Sequence, residues 1–108
     1  MPNISPVFVP ASDVNVIAAK TIKITNLTLS LANTEYNHPL QSKLKQLKIK
    51  SRSASRLQYA FIEGDSSVQF QTIPKFCEEF LSGLDFTDKI LYIQTDSTAT
   101  IVEIVELY

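Results

Sequence analysis

The 108-residue sequence is short of most things that carry chemistry. It has one cysteine, one histidine, two glycines and no tryptophan. A single Cys77 excludes an internal disulfide framework. A single His38 excludes any multi-histidine metal site, and zinc would need Cys77, His38 and carboxylates to converge from distant positions. Two glycines 19 positions apart build no phosphate cradle, and there is no GxGxxG, Walker loop or G-x-S-x-G. No apolar run approaches the ~18 residues of a transmembrane helix. The first residues lack a basic stretch leading into an apolar core of signal-peptide type. Asn3-Ile4-Ser5 and Asn26-Leu27-Thr28 match the glycosylation sequon and, without such a signal, read as chance.

What is present is β-branched. Thr, Ile and Val supply 27 of the 108 residues, which favours strands. So few glycines make primed two-residue hairpin turns scarce, because those turns need φ > 0. Hydrophobic residues are 44% and charged residues 19%, ordinary values for one globular domain. The net charge of −1 conceals an asymmetry. Residues 1–56 carry 8 Lys/Arg and 2 Asp/Glu, while residues 57–108 carry 2 and 9. Two readings stay open: the halves neutralise each other within the fold, or they complement each other between neighbouring copies.

Residues 1–21 stand apart as an extended N-terminal arm. Pro2, Pro6 and Pro10 recur every four residues, fixing φ and deleting amide donors. Ile4, Val7, Phe8 and Val9 make the arm apolar, which favours folding back on its own domain or docking on a partner over a plain disordered tail. Val14, Val16 and Ile17 are candidates to open a first strand. From residue 22 to 108 period-two patterns dominate. Ile22 and Ile24 share one parity, and Leu27, Leu29 and Leu31 the other, which predicts a bulge or break near Asn26. Residues 46–53 alternate Gln46, Lys48, Lys50 and Arg52 with Leu47, Ile49, Ser51 and Ser53, giving one basic face and one apolar-to-small face. Leu57, Tyr59 and Phe61 alternate next. Gly64 suits an αL loop position. Val68, Phe70 and Thr72 alternate up to Pro74.

Residues 75–83 read as one helical turn, with Phe76 over Phe80 and Cys77 over Leu81, stopped by Gly83. On that reading Cys77 is a small buried hydrophobe. Two final strands, Ile90–Thr95 and Thr100–Tyr108, are predicted to join as a hairpin through Asp96-Ser97-Thr98-Ala99. The last carries apolar groups on both faces, notably Ile101, Val105 and Leu107, as in a strand that is central or lies under a subunit contact. The expectation is an all-β fold: a single antiparallel β-sandwich, jelly-roll-like, of seven or eight short strands over residues 22–108.

No catalytic arrangement emerges. The adjacent Glu78 and Glu79 point apart on a helix and read as a solvated pair. His38 has no nucleophile to serve and reads as structural. No enzyme activity, cofactor, metal or small-molecule substrate is expected. Lys48, Lys50 and Arg52 project every ~6.8 Å along one face. That row suits a solvated face or a protein contact. A single-stranded nucleic-acid surface is an alternative of another class, disfavoured because aromatics do not share the face.

A series of motifs then points to a family. Leu27-Thr28-Leu29, Ala32-Asn33-Thr34-Glu35-Tyr36 and Leu47-Lys48-Ile49-Lys50-Ser51-Arg52-Ser53 are followed by Leu57-Gln58-Tyr59-Ala60-Phe61, Gly64 and Phe70-Gln71-Thr72-Ile73-Pro74. Leu84-Asp85-Phe86, Ile90-Leu91-Tyr92-Ile93-Gln94-Thr95 and Val102-Glu103-Ile104 complete the order. Over residues 22–108 this resembles a family of small structural virion proteins of tailed bacteriophages. The chain departs from that pattern after Ile73-Pro74, where Lys75-Phe76-Cys77 stands in place of a loop with glycine. It also ends in Leu107-Tyr108 where Trp is common. The resemblance implies a non-enzymatic role in the virion, assembled in the host cytoplasm. The leading role is a capsid decoration or cement protein that bridges major capsid proteins, and a tail, neck or fibre component is the alternative. The implied partners are the major capsid protein and further copies of the chain, as a trimer or dimer, with no membrane. Expected contact residues are Ile4, Val7, Phe8 and Val9 of the arm, and Lys48, Lys50, Arg52, Ile101, Val105 and Leu107 of the domain.

Overall fold

The computed structural model describes residues 19–108. The arm residues Ile4, Val7, Phe8 and Val9, and the candidate strand start at Val14, lie outside the described residues. Eight strands follow in order: β1 Ile22–Leu29, β2 Tyr36–Pro39, β3 Gln46–Ser51, β4 Leu57–Ala60, β5 Gln71–Ile73, β6 Glu78–Ser82, β7 Ile90–Thr95 and β8 Thr100–Leu107. A single 3₁₀ turn, Asp65–Ser67, interrupts the β4–β5 connection.

The strands form two antiparallel four-stranded sheets, ordered β1-β8-β3-β6 and β2-β7-β4-β5. That order is a jelly roll, built from two Greek keys, and the expected all-β sandwich is the fold observed. It explains how the chain manages with two glycines. Nearly every consecutive pair of strands lies in opposite sheets, and only β4 and β5 are sequential neighbours in one sheet. Even these are joined by residues 61–70, with Gly64 at φ 87 opening the 3₁₀ turn. Tight primed hairpins are unnecessary because the chain keeps crossing between layers.

Inward side chains of both sheets make one core. Leu29, Leu47, Ile49, Leu57, Leu91, Ile93, Val102 and Ile104 are fully buried, with Tyr59, Ile73 and Phe86 beside them. β8 alternates strictly between buried and half-buried residues and is hydrogen-bonded on both sides, to β1 and β3. Its two-sided apolar character therefore matches a central strand.

Several local expectations are corrected. β1 pairs with β8 residue for residue from Ile22↔Leu107 to Leu29↔Thr100, with no bulge at Asn26. Leu29 faces the core, whereas Ile22 and Ile24 stay on the outer face and are exposed. The inferred switch of parity is in fact an apolar patch on the outside. Residues 75–83 form no helical turn. Lys75 and Phe76 lie in a turn closed by the Cys77 N–H on the Pro74 carbonyl (3.1 Å), and residues 78–82 are strand β6. The open edge of β3 takes up this segment, and its burial alternates with period two, which overrides the i,i+4 spacing of Phe76 and Phe80. Cys77 is consequently exposed, not buried. Asp96–Ala99 is no hairpin turn: β7 and β8 lie in different sheets, and the segment crosses between them. The run at residues 68–74 shortens to Gln71–Ile73, with Val68 exposed.

Candidate interaction face

Directly opposed residues of an antiparallel pair share a face, so register alone maps the outer surface of the first sheet. One row across it is Ile24, Val105, Lys48 and Phe80, and the next is Asn26, Glu103, Lys50 and Glu78. Ile22 and Leu107 flank the first row, while Ile101 and Arg52 lie beyond the second. All six candidate contact residues of the domain, Lys48, Lys50, Arg52, Ile101, Val105 and Leu107, thus lie on one face. Sequence reasoning missed Ile22, Ile24 and Phe80 there, which are 68%, 61% and 52% exposed. The signal was present: Ile22 and Ile24 have the same parity, but the expected bulge turned it inward.

Two of the three cations in the basic row are paired where they stand. Lys48 Nζ lies 3.6 Å from Glu78, and Arg52 Nε donates to Glu103 at 2.9 Å. The Arg52 hydrogen bond, with Lys50 and Lys48 adding their charge, holds the Glu103 carboxyl below its ordinary value. Arg56 pairs with Asp96 in the same way (3.3 Å). Three cations of the first half of the chain, Lys48, Arg52 and Arg56, thus meet acids of the second half within the domain. Among the described residues Lys50 is left without an ion pair, and the rest of the unmatched surface is mainly apolar: Ile22, Ile24, Ile101, Val105, Leu107 and Phe80.

Behind the face, polar ties lock the two sheets together. Glu106 points inward from β8 and is fully buried. Its carboxylate accepts from His38 Nε2–H (2.8 Å) on β2 and from the Gln41 backbone N–H (2.9 Å). His38 has the structural role expected of it, as the partner of a buried acid. At the other edge of the sandwich the Tyr59 hydroxyl donates to Glu79 at 2.7 Å. Burial, and then the Glu79 carboxylate, push the Tyr59 hydroxyl up from its ordinary value, so it stays a donor at neutral pH. Glu79 is therefore no solvated twin of Glu78: on a strand the two point to opposite faces.

The second sheet is covered on its outside. The residue 61–70 loop lays Ser66, fully buried, over β4 and β7. Glu35 clasps that loop, accepting from the Gly64 N–H (3.0 Å), the Ser66 N–H (3.3 Å) and the Ser66 hydroxyl. Gln94, 3.1 Å from the same hydroxyl, in turn donates to Gln58. Burial opposes the charge on Glu35, but the bonds from Ser66 and Gly64 outweigh it and hold the carboxyl below its ordinary value. A depressed folded value means stability that is present at neutral pH and fades as pH falls through that value. Glu35→Gln is therefore less stable than wild type at pH 7, and the gap narrows below about pH 4. Urea unfolding curves at pH 7 and pH 3 measure it.

Among the described residues no three His, Cys, Asp or Glu side chains gather into a metal site. An open groove of ≈ 570 Å³ runs between the residue 61–70 loop and β6, lined by Tyr59, Phe61, Phe70, Glu79 and Leu84. Compared with known proteins, the chain matches no family model, and no curated protein or solved structure matches it significantly. A functional reading therefore rests on the residues and on this geometry.

Proposed function

We propose that the protein is a structural component of a tailed-bacteriophage virion, and that it works as a capsid decoration or cement protein. The observation that carries this reading is the outer face of the β1-β8-β3-β6 sheet. It presents an apolar strip on a sheet, bordered by charges most of which are already paired. Such a face suits contact with another protein. Each Å² of its apolar area removed from water contributes about 25 cal/mol, and the charged border can stay solvated as the rim of the contact. The motif order supports the virion setting, and the jelly roll is an architecture that capsid proteins use. With Lys48 and Arg52 already paired to acids, the row favours a protein partner over single-stranded nucleic acid, which wants unpaired cations and stacking aromatics.

The reading also uses the arm. Its apolar residues Ile4, Val7, Phe8 and Val9 would reach a neighbouring subunit, and repetition over a lattice turns weak contacts into tight attachment. Deleting residues 1–13 is expected to leave the domain folded and to weaken co-sedimentation with shells stripped of the protein. Undiminished binding by the truncated chain would remove the arm from the account. Labelling the protein in whole particles separates shell from tail, neck or fibre: signal confined to the tail would overturn the cement role.

A further inference from the structure

The turn between β5 and β6 holds a bulky residue where its geometry calls for glycine. Phe76 has φ 66, in the left-handed region, and occupies the third position of the turn closed by Cys77 N–H on Pro74. Turns with positive φ at that position take Gly or Asn, and a bulky side chain there is an outlier that stores strain. Nothing within the fold compensates for it, since the Phe76 ring is 81% exposed, more than any other large hydrophobic residue described. The chain thus holds a strained, solvated aromatic at the tip of a tight turn.

A receptor of matching character lies at the opposite end of the same strand. Phe61, Leu84 and Phe86 line a small apolar pocket of ≈ 130 Å³ whose rim carries Asp85 and Lys89. Asp85 is fixed there by accepting from the Thr87 N–H at 3.0 Å. Lys75, the residue before the knob, is exposed and cationic. Knob and pocket cannot meet within one chain, because the five residues of β6 separate them by roughly 16 Å of extended backbone.

We propose that Phe76 of one copy inserts into the Phe61–Leu84–Phe86 pocket of a second copy, with Lys75 facing Asp85, so that copies join head to tail along β6. Such a contact is heterologous: donor and acceptor surfaces differ, and repetition produces a ring or a string, not a closed twofold dimer. One buried phenyl ring offsets only part of the cost of association, so the free contact is weak and strengthens where copies are already held side by side.

The experiment uses Cys77, exposed and adjacent to the knob, as the attachment point for a maleimide–benzophenone photocrosslinker. Equal amounts of isotopically light and heavy chain at about 1 mM are irradiated, and mixed-isotope adducts are mapped by mass spectrometry. Adducts between Cys77 of one copy and Phe61 or residues 84–89 of the other are expected. Phe76→Gly should cut their yield at least tenfold while raising the melting temperature by about 3 °C, because glycine relieves the left-handed strain. Leu84→Arg, at an exposed rim position, should cut the yield as much with the knob intact. Mixing Phe76→Gly with Leu84→Arg should restore adducts in one direction only, from the Leu84→Arg knob to the Phe76→Gly pocket. Adducts mapping elsewhere, yields indifferent to both substitutions, absence of mixed-isotope adducts, or a Phe76→Gly chain that melts no higher would each overturn the proposal. None of these outcomes depends on shell binding, so this contact and the cement role stand or fall separately.

Discussion

Glu106→Ala is expected to cost the domain about 3–5 kcal/mol, a large part of the 5–15 kcal/mol that holds a typical domain folded. The carboxylate sits fully buried on the central strand β8 and is satisfied from the other sheet by His38 and from the β2–β3 connection by Gln41. Truncation empties that site and strands two donors that had been shielded from water. An unsatisfied buried donor costs about 1–3 kcal/mol by itself. Glu106→Gln keeps the volume and one acceptor, so its loss should be distinctly smaller. His38→Ala should fall between the two. Urea unfolding of the single variants and of the double variant closes a mutant cycle. A coupling near zero would mean that the two side chains do not support one another, and the tie between the sheets would have to be sought in the core alone.

The second large effect is on attachment, not on stability. Ile24 is well exposed on the edge strand β1 of the outer face, opposite Val105. Ile24→Glu should change stability by no more than about 0.5 kcal/mol, as surface substitutions usually do. In a complex it would bury an unpaired carboxylate against an apolar partner, where even one such group costs several kcal/mol. Loss of shell binding by about 100-fold or more is therefore expected, from a variant that unfolds at the same urea concentration as wild type. Val105→Glu tests the same patch from the neighbouring strand, although Lys48 beside it offers partial compensation. A pair of variants that lose neither stability nor binding would show that the face is only a solvated surface.

How much of this was legible in the residues differs from element to element. The β8 strand was the clearest: its apolar groups on both faces fit a central position, and it occupies one. Glycine scarcity foreshadowed a fold without tight hairpins, although not that the chain would avoid them by alternating between sheets. The six residues of the domain named for contact fell on one face because period-two alternation in β3 and β8 is local information. The errors came where tertiary pairing decides. The segment after Pro74 satisfied a helical spacing, and only the free edge of β3 makes it a strand. Ile22 and Ile24 are apolar on the parity opposite to the core, a pattern that a bulge and an exposed patch satisfy equally until the pairing with β8 is known. The ties His38–Glu106, Tyr59–Glu79 and Glu35–Ser66 join residues 68, 20 and 31 positions apart, and no local pattern marks them.

The Phe76 turn shows the opposite case, in which a local irregularity in sequence has a structural counterpart. After Ile73-Pro74 the sequence has Lys75-Phe76-Cys77 and no glycine, and at Phe76 the backbone adopts the left-handed conformation that glycine favours. The backbone takes that conformation with a phenylalanine, which places the cost of the turn on this chain and a solvated ring beside its only cysteine.

Hydroxyl-radical footprinting tests the central claim most directly, by comparing free protein with protein assembled in the particle. The account predicts that Ile22, Ile24, Phe80, Val105 and Leu107 lose most of their reactivity on assembly, while Ile62 and Val68 on the loop outside the second sheet keep theirs. Equal reactivity of Ile24 and Phe80 in both states would contradict it, because the outer face of the first sheet would then be open to water in the very setting where it is said to bind.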